Sequence, residues 1–86
     1  GEGLQLLADD LALDQQSDLR LRQEMLTLAL DKVDAKHREI LVLKFFEDKS
    51  YQEISDILKK PLGTVASLIK RAKKDLKSAL PAGEQF

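Results

Sequence analysis

Between Lys59 and Lys77 seven bases (Lys59, Lys60, Lys70, Arg71, Lys73, Lys74 and Lys77) meet a single acid, Asp75, a net of +6 over nineteen residues. Side chains of this type at this density suit a polyanion, because each Lys or Arg set against a phosphate releases counterions. A solvated helical face is the other reading of such a run, and charge alone leaves the two open. The opposite end of the chain has the opposite sign. Gly1 to Asp31 holds seven acids against Arg20 and Arg22, a net of -5, while Lys32 to Phe86 holds twelve bases against eight acids, a net of +4. The overall charge of -1 conceals this polarity.

Other chemistries find little support. His37 is the only histidine and Cys is absent, so no thiolate or paired-imidazole metal site can be assembled. His37 reads as an ordinary surface position in a polar helical turn. Glu53 and Asp56 are three residues apart on one helix, a spacing typical of solvated or capping carboxylates, and Glu53 has a capping role available. No nucleophile stands beside a base, and the four aromatics (Phe45, Phe46, Tyr51, Phe86) are too scattered to stack single-stranded bases. Neither an enzyme nor a cofactor or metal protein is expected.

With 86 residues, 43% of them hydrophobic and 34% charged, one small soluble domain is expected, near the lower size limit for a stable core. The start at Gly1-Glu2-Gly3 without Met suggests a piece of something larger. No secretion signal or membrane span is recognisable, and the absence of Cys fits a reducing compartment. Residues 1–17 read as an acidic linker or arm, with at most a helical turn near Leu4 to Leu7. A first helix follows from Leu19, capped by Ser17 or Asp18, with Leu19, Leu26, Leu30 and Val33 on one stripe and Leu21, Met25 and Leu28 beside it.

Asp34 precedes a second helix whose Ile40, Leu41, Leu43, Phe45 and Phe46 cover a wide apolar face. Ser50 with Glu53 has capping-box spacing, so a short third helix runs from Tyr51 to about Leu58 with Ile54, Ile57 and Leu58 inward. Lys59-Lys60-Pro61-Leu62-Gly63 cannot continue it, since Pro61 lacks an amide proton and disfavours a helical Lys60. Thr64 then caps a last helix to Leu80, which Pro81 ends; residues 81–86 form a tail. The expected fold is all-α, a bundle of about four helices over residues 18–80 ending in a helix-turn-helix, of the winged-helix-like class without a wing.

A small residue is needed where two such helices cross, and Ser55 is small. On the last helix Val65, Leu68, Ile69, Ala72 and Leu76 leave Ser67, Lys70, Arg71, Lys74 and Lys77 on the outward arc. A helix seated in the major groove carries its N-terminal half nearest the base edges. Ser67, Lys70 and Arg71 are therefore placed to read bases, and Lys73, Lys74 and Lys77 to meet the backbone. The helix starts at Ser50-Tyr51 and Gly63-Thr64 offer free amides for phosphates.

The string Ser50-Tyr51-Gln52-Glu53-Ile54-Ser55, then Pro61-Leu62-Gly63-Thr64-Val65-Ala66-Ser67 and Arg71-Ala72, resembles region 4 of bacterial sigma factors of the sigma-70 class, and most of all the extracytoplasmic-function group. The likeness extends upstream to Val33-Asp34 and Arg38-Glu39-Ile40-Leu41 and covers roughly Leu19 to Leu80. It implies a domain of the bacterial cytoplasm and nucleoid that acts as a monomer in transcription initiation. Such a domain binds the minus-35 promoter element in duplex DNA and docks on the β flap of core RNA polymerase. By position it assigns base contacts to Ser67, Lys70 and Arg71 and backbone contacts to Lys44, Tyr51, Thr64 and Lys73. Leu28, Leu41 and Phe45 are the candidates for meeting the flap or an anti-sigma factor, and plain core is their other reading.

Three departures stand out. Ala66 and Leu68 occupy places where the family often carries a base, Lys59 and Lys60 replace the common Gly and apolar residue of the turn, and Asp34 replaces the usual Pro. Two alternatives accompany the resemblance: a response-regulator-type helix-turn-helix output domain acting as a dimer, and a region 4-like module that binds polymerase or an anti-sigma factor with little DNA contact. A basic amphipathic helix lying on a membrane is the minor reading.

Overall fold

The computed structural model describes residues 2–11 and 19–80. The expected caps Ser17 and Asp18 and the tail from Pro81 lie outside them. Five α-helices follow one another, with no strand among the described residues: α1 (Glu2–Asp10), α2 (Leu19–Leu30), α3 (Ala35–Leu41), α4 (Tyr51–Leu58) and α5 (Leu62–Ala79). Between α3 and α4 a π-helical segment, Val42–Phe46, continues the α3 axis with a wider turn. Its register shows in the Glu47 N–H, which donates to the Val42 carbonyl at 2.9 Å, five residues back.

α5 is the spine. It packs on α3, α4 and α2, and its Val65, Ile69, Ala72 and Leu76, spaced by three and four, are all buried. Facing them are Leu26, Ile40, Leu41 and Ile54, each with no exposed surface. Burying one such side chain contributes about 1.5–3 kcal/mol, which is how a domain of this size meets the entropy of ordering its chain.

Local chemistry sets the element ends. Arg38 closes the C-terminus of α2: its Nε donates to the Leu30 carbonyl at 2.9 Å and one terminal nitrogen to the Val33 carbonyl at 3.1 Å. These satisfy carbonyls that a helix end leaves without partners. The capping box of α4 is formed at both contacts, Glu53 N–H to Ser50 Oγ at 3.0 Å and Ser50 N–H to Glu53 Oε1 at 2.8 Å. The Ser50 amide holds the Glu53 carboxyl below its ordinary pKa, because the bond favours the ionised form.

The structure differs from the sequence expectations in five places. Residues 1–17 are not simply an arm: α1 packs on the π-helical segment and on α2, and Leu7 and Leu11 enter the core. Gly3 makes that approach feasible, since a Cβ there would collide with the Phe45 carbonyl oxygen and the Asp48 carboxylate. The last helix begins at Leu62 rather than after a Thr64 cap, with Val65 N–H donating to the Pro61 carbonyl at 3.0 Å. Pro61 can hold this position because its missing amide proton has no role there. Gly63 consequently lies in the first helical turn, and the connection from α4 to α5 is Lys59-Lys60-Pro61 alone.

Ile57, expected inward, is 50% exposed, because α5 covers only the Ile54 and Leu58 side of the short α4. Phe46 is exposed at the end of the wide π turn while Phe45 is buried. On α2, Leu21 and Leu28 face outward and Ala29 takes a core place beside Leu26 and Leu30. His37, read as a surface residue, is half-buried between α3 and α5.

Candidate nucleic-acid interface

Helices α4 and α5 and their three-residue turn form the helix-turn-helix. The turn is closed by Lys59 in the left-handed region, φ 55° and ψ 48°. From Lys60 the N–H reaches back to the Ser55 carbonyl at 3.1 Å, the six-to-one bond of a Schellman closure. Ser55 Oγ in turn donates to the Lys60 carbonyl. The small residue at the crossing thus also ties both ends of the turn.

The buried stripe of α5 leaves Ser67, Lys70, Arg71, Lys74 and Lys77 exposed. None of these five has an ion pair or side-chain hydrogen bond among the described residues. Ser67 to Lys74 spans about 10 Å of helix at 1.5 Å per residue, a length that a major groove accommodates. Ala66 and Thr64 are also exposed on the N-terminal half.

The remaining positions flank this arc. Tyr51, at the first turn of α4, is 40% exposed, and the Lys44 ammonium lies 5.0 Å from its ring centroid, within cation–π range. Lys44 Nζ also donates to the Lys49 carbonyl at 3.4 Å, so the group is held beside the α4 start, where Ser50 is exposed. Lys73 differs from its neighbours: it is partly buried, with Nζ 3.0 Å from Asp10 Oδ2 of α1. Sequence reading gave Asp10 no part in this surface.

Of the three candidate docking residues, Leu41 and Phe45 are buried in the core and have almost no surface to offer. Leu28 is 65% exposed and borders a shallow groove on α2 with Gln23 and Thr27.

His37 Nδ1 lies 2.8 Å from Asp75 Oδ2, joining α3 to α5. That hydrogen bond, helped by the Asp34 backbone N–H, holds the Asp75 carboxyl below its ordinary pKa. Asp34, His37 and Asp75 do come together, yet the Asp75 carboxylate is already engaged with both neighbours, and the cluster reads as a helix-to-helix tie. The partners are 38 positions apart, so spacing along the chain could not reveal them.

A short helix-turn-helix carrying an open cationic stripe on its second helix is the architecture of a DNA-binding domain. The chain matches the family model described as Sigma-70, region 4, over residues 23–76, and it belongs to that family of DNA-binding sigma-factor domains. No match was found among curated proteins or among solved structures. The family takes the place of the response-regulator alternative, and its domains bind DNA and RNA polymerase rather than catalyse a reaction. Among the described residues no helix is long and apolar enough to cross a membrane.

Proposed function

We propose that this domain reads the minus-35 promoter element in duplex DNA through α5 while it docks on the β flap of core RNA polymerase, acting as a monomer of the extracytoplasmic-function type. The observation that carries the reading is the exposed, unpaired arc of Ser67, Lys70, Arg71, Lys74 and Lys77. In this arrangement Ser67, Lys70 and Arg71 meet base edges, and Lys74 and Lys77 meet phosphates further along the groove. Lys44, Ser50, Tyr51, Thr64 and Lys73 complete the backbone contacts on either side. Leu28, as the exposed member of its set, is the one with a surface for polymerase or an anti-sigma factor.

Titration of duplexes that differ in the upstream element, at two salt concentrations, tests this. Arg71→Ala should cost about 1–3 kcal/mol and relax preference at one base pair. Lys74→Ala should weaken all duplexes alike and reduce the salt slope by about one. Equal affinity for every duplex, unchanged by Arg71→Ala, would refute base reading. Retention of polymerase without retardation of any duplex would select the protein-binding alternative.

A further inference from the structure

The family match begins at residue 23, so α1 lies outside it. This added helix is nevertheless seated firmly, with Leu7 fully buried, Leu11 nearly so, and Gly3 against the Phe45 carbonyl. Its C-terminal end delivers Asp10 to Lys73, and of the seven bases from Lys59 to Lys77 only Lys73 is ion-paired among the described residues. Lys73 stands one helical turn before Lys77 and beside Lys74, on the helix argued above to enter the groove. A carboxylate and a phosphate oxygen compete for the same ammonium donors. The pair is also labile: the Asp10 and Lys73 side chains are 54% and 31% exposed, and exposed pairs are weak enough for another anion to replace them.

We propose that α1 is an autoinhibitory latch, in which Asp10 occupies Lys73 in the free protein and yields it to a DNA phosphate on binding. The inference rests on the promoter-binding reading. Two physical consequences follow. The Lys73 contact exchanges one anion for another rather than releasing a counterion, so the wild-type salt slope is shallower than the number of phosphate contacts requires. The Asp10 charge beside the groove also adds repulsion against the neighbouring phosphates.

The test is duplex titration against salt for the full chain and for Asp10→Asn, alone and combined with Lys73→Ala. Asp10 is exposed, and a thermal melt confirms that Asp10→Asn stays folded. The expected results are tighter binding by Asp10→Asn, about 1.5- to 5-fold, and a salt slope steeper by about 0.9. Both gains should vanish in the Lys73→Ala background. Equal affinity and slope for wild type and Asp10→Asn would overturn the latch and leave promoter recognition standing. A gain that persists without Lys73 would overturn it too, because the effect would then be general repulsion. Failure of both proteins on every duplex would remove promoter recognition and the latch together.

Discussion

Lys59 holds the turn on which the whole helix-turn-helix angle depends, and it does so in the left-handed region at φ 55° with an ordinary side chain. The Cβ of an L-residue costs about 1–2 kcal/mol in this conformation. Glycine removes that cost but has about 0.5–1 kcal/mol more backbone freedom to lose. Lys59→Gly should therefore stabilise the domain by a net of about 0.5–1 kcal/mol, since Lys59 is exposed and its backbone N–H can still bond to the Ser55 carbonyl. For a domain of this length that raises the melting midpoint by about 2–8 °C. Circular dichroism melts measure it directly. Lys59→Ala is the control: it removes the same charge beside Lys60 but keeps the Cβ, so it should show no comparable gain. An unchanged or lower midpoint for Lys59→Gly refutes the reasoning, and an equal gain for Lys59→Ala assigns the effect to charge instead.

Arg38→Ala should destabilise the domain by about 2–4 kcal/mol in urea unfolding, as the Leu30 and Val33 carbonyls lose charge-assisted bonds worth about 1.5–3 kcal/mol each. Arg38→Lys should recover little, because one ammonium cannot reproduce the guanidinium fork. The Asp75 carboxyl is held low in the fold, so its contribution is complete above the ordinary carboxylate range and fades as pH falls through its lowered value. Melting midpoints followed into acid should fall less steeply for Asp75→Asn than for wild type; parallel curves would disprove the tie. Ser50→Ala should cost about 0.5–2 kcal/mol by removing the α4 cap, with an unchanged melt as the contrary result.

Sequence revealed most where the physics is local. The Ser50-to-Glu53 box spans four residues and was readable as spacing, as was the stripe of Val65, Ile69, Ala72 and Leu76 that orients α5. Element boundaries were harder wherever one residue acted against its type. Lys59 in a glycine-like conformation shortens the turn, which is why α5 begins at Leu62 and Gly63 turns out to be helical. Helix α1 carried too few described apolar anchors for periodicity to show: Leu7 and Leu11 find their partners only after α2 and the π-helical segment are in place. Ion pairs across long separations, Asp10 with Lys73 and His37 with Asp75, leave no signal in spacing at all. Within the interface, residue types and arc positions were legible, but which ammonium was already occupied was not.

The π-helical stretch at Val42–Phe46 makes chain length itself a design variable in this domain. Removing one residue there would allow ordinary winding, yet it would rotate all that follows by about 100°. Phe45 would then swing from the interior, Gly3 would lose the carbonyl it nestles against, and the Lys44 ammonium would leave the Tyr51 ring. Insertions and deletions are consequently far less tolerable at this site than substitutions, and a reading-frame-preserving loss of one codon would unseat α1 and misalign the entry to α4 in a single event.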